Sequence, residues 1–391
     1  MKILLSTLGN LSEPSAERAL QIKDGHSILG TKSSLSTRYK FDEIYLEVTS
    51  HCNFDCSFCP NAFMRRERGF MPFNMFTRIV DEISTYKMAS KILFHVMGEP
   101  LLHPQIFDLL KYAAQKIPRQ ILVTNGSLFN ESNIIKCFET GITNLDISYL
   151  TPTTSTFALR NAKSLLFEHY RGVVENVVRT KFLNHYKTHL RLYYPNVYLL
   201  AYQLGVSNQP PFLPSSLFSD YVHRWVIFLK NLGVNTNINL NFESIKARDI
   251  RKGFSIFLTP DFELSIKPFH YWLNTFVSVH KASIGKCSLV LFRKQLGILW
   301  NGDVVLCCGD YEGDTRFGNV RASSLREVLG GENYHKIFSS FSRGVVPRDK
   351  CKICLGASDL KTLITKEIGT YIVNFRFVKH VVDIMHRAES T

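Results

Sequence analysis

Apolar residues along this chain recur with two periods that take turns. Short apolar runs of strand type, IYLEVT (44–49), KILFHV (91–96), RQILVTNG (119–126), TNLDIS (143–148), HLRLYY (189–194) and NINLNFE (237–243), alternate with longer segments of helical spacing. FNMFTRIVDEIS (73–84) sets Phe73, Phe76, Ile79, Val80 and Ile83 on one helix face. PQIFDLLKYAAQKI (104–117) opens on Pro104, where a missing N–H costs little. ESNIIKCFETG (131–141) predicts a short helix stopped by Gly141; segments 158–181 and 221–233 predict two more. The Pro- and Ser-rich stretch 203–219 predicts a loop.

About six strand–helix repeats imply parallel strands joined by right-handed crossovers. The expected fold class is α/β: a partial (β/α)6 parallel barrel followed by a small α+β domain. Functional residues then belong at the C-terminal ends of the strands. Near residue 250 the alternation stops, and ILWNGDVVLCC (298–308) reads as a hairpin turning at Asn301-Gly302. The expected organisation is an N-terminal extension (1–42), a core (43–250), a small cysteine-bearing domain (251–360) and a C-terminal tail (361–391).

Composition narrows the class. With 391 residues, 45% of them hydrophobic, the chain has material for a sizeable core, which excludes wholesale disorder. No apolar run approaches the ~18 residues of a membrane-spanning helix, and the N-terminus lacks a secretory signal, so a cytoplasmic protein is expected. The formal net charge is +14. The densest basic stretch, Arg160 to Arg191, holds seven Lys/Arg against two Asp/Glu, and MRRERG (64–69) is another. These are either solvated surface or a site for an anionic partner.

Cysteine placement says more than cysteine number. In a cytoplasmic chain an odd count of nine points to metal or redox chemistry rather than a disulfide framework. Cys52, Cys56 and Cys59 follow the first strand on one tight loop; Cys287, Cys307, Cys308, Cys351 and Cys354 form a second group; Cys137, on a helix between Ile135 and Phe138, reads as a packing residue. Three thiolates without a nearby fourth fit a 4Fe–4S cluster with one iron left open. A zinc site completed by His51 or a distant group is the alternative.

The Cys-x3-Cys-x2-Cys loop, with the aromatic Phe58 before its last cysteine, resembles the signature of the radical S-adenosylmethionine enzymes. The resemblance implies that the open iron chelates the amino and carboxylate groups of S-adenosylmethionine. Reductive cleavage then yields methionine and a 5′-deoxyadenosyl radical that abstracts hydrogen from substrate. Met97-Gly98-Glu99-Pro100 lies where the family usually has Gly-Gly-Glu, which implies that Gly98 and Glu99 meet the methionine amino group. Thr124-Asn125-Gly126 matches a family strand end as well as an ordinary Asn-Gly turn, and Asn125 is the contact implied there. Ser148 occupies the next strand end, although SYLTP replaces the family's Ser-Leu-Asp-Gly. Arg160 falls where relatives place an arginine near the cofactor carboxylate, with Arg171 as rival.

Cys287, Cys307, Cys351 and Cys354 resemble the auxiliary iron–sulfur domains named SPASM and Twitch. With no cysteine after Cys354, the resemblance favours the shorter Twitch-like form, a single fully ligated 4Fe–4S cluster; a four-thiolate zinc ribbon is the alternative. Cys308 is then a packing residue, an alternative ligand, or a catalytic hydrogen-atom donor. The implied activity is oxidation or epimerisation of a sugar, aminocyclitol or nucleoside in a biosynthetic pathway, served by a flavodoxin-type or other low-potential reductant. A maturase of ribosomally made peptides is the second reading. Only ~40 residues precede the core, fewer than a leader-binding domain needs. A non-catalytic iron–sulfur protein and an RNA-modifying enzyme are more distant; no RNA-binding motif is visible, and no membrane partner is expected.

Overall fold

In the computed structural model, described residues are 39–150, 153–162, 165–195, 215–236, 254–267, 274–275, 278–291 and 294–371. The strand expected at 237–243 and most of the loop expected at 203–219 lie outside them; the last part of that loop instead begins a helix at Ser215.

Strands form where the apolar runs predict them: β1 (Glu43–Leu46), β2 (Lys91–Leu93), β3 (Arg119–Thr124), β4 (Asn144–Ile147) and β5 (His189–Pro195). The crossovers carry helices α1 (Phe73–Thr85), α2 (Ile106–Ala114), α3 (Glu131–Glu139), α4 (Thr154–Phe157) and α5 (Phe167–Leu183), and α6 (Ser215–Asn231) follows β5. The α1 face buries Met75, Phe76, Ile79, Val80 and Ile83 against Ile44, Leu46, Ile92 and Phe94 of the sheet. Each such fully buried side chain contributes about 1.5–3 kcal/mol.

The sheet continues beyond the five strands at both edges. β6 (Phe254–Thr259) and β7 (Phe262–Lys267) form an antiparallel hairpin, and β7 lies parallel to β5, pairing Leu192 with Leu264. This hairpin carries the core sheet past residue 250, where helical alternation ends. At the other edge β8 (Gln295–Ile298) pairs in parallel with β1, Tyr45 opposite Gly297. The order is β10-β9-β8-β1-β2-β3-β4-β5-β7-β6, where β9 (Asp303–Val305) and β10 (Gly318–Asn319) are antiparallel additions. Among the described residues the sheet does not close on itself, as a partial barrel requires. The cysteine-bearing segment is thus joined to the core through a shared sheet.

Two sequence expectations change in detail. Segment 158–181 is not one helix: residues 158–160 form a single 3-10 turn, Asn161 takes a left-handed φ of 45°, and α5 begins at Phe167. The break frees Arg160 to turn inward, where it is buried. The 298–308 hairpin turns through Trp300 and Asn301, with Gly302 at φ +87°, making a three-residue loop rather than a two-residue one.

α7 (Ser288–Leu291) comes just before β8, and past β10 the chain adds α8 (Leu325–Gly330), α9 (Glu332–Ser342) and α10 (Asp349–Leu355), then a helical stretch over 360–371. No helix among the described residues is long and apolar enough to cross a membrane.

Candidate active site and cysteine cavity

Parallel strands place their C-terminal ends on one rim, and the first cysteine loop leaves β1 on that rim. The loop is stitched to the turn that carries Arg160: Asp55 N–H donates to the Arg160 carbonyl (3.2 Å) and Ser57 N–H to the Leu159 carbonyl (2.8 Å). Within the loop Cys59 N–H donates to the Cys56 carbonyl (2.9 Å). Burial, with the Glu99 carboxylate beside it, pushes the Cys52 thiol up to about 12, and burial raises Cys56 and Cys59. Such thiols stay protonated until a metal displaces the protons. Phe58 is buried beneath the loop.

Glu99 sits at the centre of this rim. It is 1% exposed, and three donors hold its carboxylate: Thr124 Oγ1 (2.5 Å), Asn125 N–H (2.7 Å) and Leu101 N–H (3.0 Å). Burial raises its carboxyl, opposed by these bonds and by the Arg160 charge. Gly98 makes the placement possible. Its φ is +86°, and a Cβ there would stand 2.4 Å from the Thr49 carbonyl oxygen, so no other residue fits. Met97, in place of the family's first glycine, brings its Sδ within 3.8 Å of Cys59 Sγ.

The remaining expected contacts converge on the same rim. Asn125 bonds to Asn53 in the cysteine loop (2.9 Å), and its carbonyl accepts from Tyr170 Oη (2.8 Å). Ser148 N–H donates to the Thr124 carbonyl (2.8 Å), and the Ser148 carbonyl accepts from Arg160. The Arg160 guanidinium lies over the rings of Phe54 (5.3 Å) and Tyr170 (5.4 Å), and its charge reaches Cys52, Cys56 and Glu99. Arg171 is spent on the α5 surface, in ion pairs with Glu168 and Glu175. Of the two arginines, Arg160 is the one that lies on the rim beside Glu99 and the first cysteine loop.

Sequence reasoning missed three groups here. Thr124, at the end of β3, donates to Glu99. Glu47 is fully buried behind the rim, ion-paired with Arg66 and accepting from Met97 N–H (3.2 Å) and Trp300 N–H (3.3 Å). Its signal was period-two spacing with Glu43 and Tyr45 on the inward face of β1. Arg66 also donates to the Tyr311 carbonyl, while Glu312 accepts from Arg65 N–H (2.9 Å), tying the basic MRRERG run to the second cysteine domain.

The four auxiliary cysteines meet on one cavity. Cys287, Cys307, Cys351 and Cys354 line it with apolar Leu289, Val290 and Phe341. Burial and the Cys287 thiol raise Cys351 to about 12 and Cys354 to about 11. Among the described residues no three His, Cys, Asp or Glu side chains converge tightly enough for a single metal ion. A 4Fe–4S cluster binds thiolates at its corners and spreads them farther than a tetrahedral zinc site does. The four-thiol donor set, too spread for a single ion, therefore fits a cluster.

Cys308 is not among the residues that line that cavity: its Sγ lies 3.7 Å from Gln295 Oε1, packed against the cluster of Tyr45, Leu93 and Ile121. Gln295 begins β8 and pairs with Glu43 at the start of β1. Cys308 thus lies at the N-terminal edge of the parallel strands, whereas Glu99, Asn125 and Ser148 lie past their C-terminal ends. A hydrogen-atom donor at this site would have to stand on the opposite rim. Cys137 is fully buried in the helix-side core, as expected for a packing residue.

Inward side chains of β4, β5 and β7 form a polar wall below Ser148. Arg191 bonds to Glu263 (2.9 Å), Asp146 (3.2 Å) and Tyr193 Oη (2.9 Å), and Tyr193 donates to Asp146 (3.0 Å). Burial would raise Glu263, but hydrogen bonds from His189 and Ser255 and the Arg191 charge outweigh it and hold the carboxyl at about 2. On the opposite side, β1 to β3 present apolar Leu93, Ile121 and Val123 beside Tyr45, with the Glu43–Lys91 ion pair (2.6 Å) at the N-terminal end of β1 and β2.

Replacing Glu99 by glutamine keeps the volume but removes the charge and turns one acceptor into a donor facing Thr124 or Asn125. S-adenosylmethionine affinity is expected to fall at least tenfold, about 1.4 kcal/mol, with iron content unchanged. Equilibrium binding beside iron analysis checks this; unchanged affinity would refute the role.

Comparison with known proteins follows the same division. Residues 46–197 match the Radical SAM superfamily, and residues 287–355 match an iron–sulfur cluster-binding domain, SPASM. A tungsten-containing aldehyde ferredoxin oxidoreductase cofactor-modifying protein of Pyrococcus furiosus is 24% identical over 307 residues, 74% of this chain and 81% of that protein. An S-adenosyl-L-methionine-dependent 2-deoxy-scyllo-inosamine dehydrogenase of Niallia circulans is 34% identical over 105 residues, 26% of this chain and 42% of that protein. A crystal structure of BtrN with AdoMet and 2-DOIA superposes with a TM-score of 0.45 at 16% identity, covering 78% of this chain and 88% of that one.

Proposed function

The chain is a radical S-adenosylmethionine enzyme with a SPASM-type iron–sulfur domain, and from that premise we propose that it oxidises a hydroxyl-bearing carbon of a small polar substrate, a sugar, aminocyclitol or nucleoside. When bound, S-adenosylmethionine and the two 4Fe–4S clusters supply a 5′-deoxyadenosyl radical and an electron acceptor. Cys52, Cys56 and Cys59 would hold the open cluster, and Cys287, Cys307, Cys351 and Cys354 the closed one. Glu99 would take the methionine ammonium, the cationic partner that a buried carboxylate needs. Arg160 would face the cofactor carboxylate, and Phe58, Gly98, Asn125 and Ser148 would complete the cradle.

The observation that carries the substrate class is the polar wall of Asp146, Arg191, Tyr193 and Glu263 directly below the rim. Its carboxylates and phenol can exchange hydrogen bonds with substrate hydroxyls. Four thiolates around the auxiliary site leave substrate no metal position there. Dehydrogenation is favoured over epimerisation because Cys308, the thiol considered for returning a hydrogen, is on the wrong rim.

The test is anaerobic turnover with a panel of deuterated polyols, aminocyclitols and nucleosides. Deuterium should enter 5′-deoxyadenosine while a carbonyl product two hydrogens lighter accumulates. An inverted centre of unchanged mass, or turnover only with peptides, would overturn the reading. With the substrate so found, Tyr193→Phe should lower kcat/KM about tenfold, mainly through KM, and leave S-adenosylmethionine affinity intact. An unchanged KM would remove Tyr193 from the substrate wall.

A further inference from the structure

The oxidation proposed above leaves one electron at the auxiliary cysteine cavity in every turnover, and the surface next to that cavity has an unusual make-up. Helix 360–371 begins just after α10, which carries Cys351 and Cys354. It is anchored on one side only. Leu363 is buried against Ala282 and Ala357, Lys366 Nζ donates to the Gly356 carbonyl (3.0 Å), and Glu367 accepts from Ser283 N–H (2.7 Å) and Ile284 N–H (3.1 Å). The neighbouring face carries Leu360, Ile364, Ile368 and Tyr371, spaced four, four and three, so they form one stripe. Their exposures run from 46% to 63%. Ile284 and Val345, bridged to each other across the seam that Glu367 closes, are exposed as well.

A stripe of exposed large apolar side chains on one helix marks an interaction site, and the charge around it identifies the partner. Residues 280–287 and 343–371 together hold eight Lys/Arg against three Asp/Glu. Of the three, Asp349 is paired with Lys281 and Lys352, and Glu367 is engaged with backbone. The chain's own terminal segments do not complement this charge: residues 1–38 hold five Lys/Arg and three Asp/Glu, residues 372–391 three and two. A second copy, at +14, does not either. A protein of opposite charge does.

We propose that the exposed face of helix 360–371, with Ile284 and Val345, is the docking surface for an acidic one-electron carrier protein of the flavodoxin or ferredoxin type. The helix sits two residues from Cys354 through the Lys366–Gly356 bond, so a docked carrier lies beside the auxiliary site. The substrate carbon radical gives up one proton to solvent and one electron, which passes to the oxidised carrier and reduces it by one. Apolar contact supplies residence time, and the basic rim supplies steering that falls with salt.

Binding of an oxidised, negatively charged flavodoxin to the reconstituted full chain, measured by interferometry at low and at physiological salt, tests this. Ile364→Asp with Ile368→Asp, and Lys361→Glu with Arg343→Glu, should each weaken binding at least tenfold, and the charge pair should also flatten the salt dependence. Dithionite-driven formation of 5′-deoxyadenosine, iron content and circular dichroism should not change. Equal carrier affinity in folded variants overturns the proposal. So does a chain that is dimeric until Ile364→Asp separates it, or cross-linking that places residues 372–391 on the stripe. Carrier binding at this face without a carbonyl product from any polyol would keep the docking surface and discard the substrate reading.

Discussion

Cys56→Ala is expected to abolish reductive cleavage of S-adenosylmethionine, a loss of more than about a thousandfold, or ~4 kcal/mol in the barrier. Cys56 is the middle ligand of a three-thiol loop, and with one iron necessarily open there is no spare donor to replace it. The neighbouring candidates are committed: Glu99 is held by three donors, and Met97 can offer only a neutral thioether. Iron should fall from about eight to about four per chain, because the auxiliary cavity draws on none of these residues. The backbone of the loop, held by Leu159 and Arg160, should keep its fold, so melting is expected to shift little. Iron analysis, electron paramagnetic resonance of the remaining cluster and quantitation of 5′-deoxyadenosine check the outcome. Cleavage at the original rate would mean that the loop is not the cofactor site.

Cys354→Ala should separate the two halves of the chemistry. The cavity that Cys354 lines is reached by α10 on the one side and by Cys287 and Cys307, flanking the β8–β9 hairpin, on the other. Losing one of four ligands opens that site, and about four irons should be lost. The rim residues that face S-adenosylmethionine are untouched, so 5′-deoxyadenosine should still form. Carbonyl product should drop at least a hundredfold, since a carbon radical without an acceptor cannot complete a two-electron oxidation. Undiminished carbonyl formation would show that the auxiliary site plays no part in the oxidation. Zinc found tightly bound at the original four thiols would overturn the cluster assignment itself.

The readable part of the site was local. Cys52, Cys56 and Cys59 share one short loop, so their spacing alone sets out the candidate cluster site. Gly98 and Glu99 share a turn whose conformation only glycine allows, and that constraint is written in two adjacent letters. Helix α1 and the first five strands followed from periodicity because each buries one face against a common core.

What sequence could not give depended on pairing between distant segments. Arg160 and Arg171 look alike in a basic stretch; only the break at Asn161 turns one inward and leaves the other to Glu168 and Glu175. Nothing local says that β8 lies against β1, yet that pairing sends Cys307 to the cavity and Cys308 to the opposite rim from Glu99. Asp146, Arg191 and Glu263 come from three strands and acquire meaning only as neighbours. By itself, then, the sequence determined the cofactor chemistry, because thiolate spacing and a glycine-bound carboxylate are properties of short segments. The tertiary structure alone decided which arginine turns toward the rim, which thiol lies outside the auxiliary cavity, and which polar side chains gather inside the sheet, because each of these is a relation between segments that only the assembled sheet brings together.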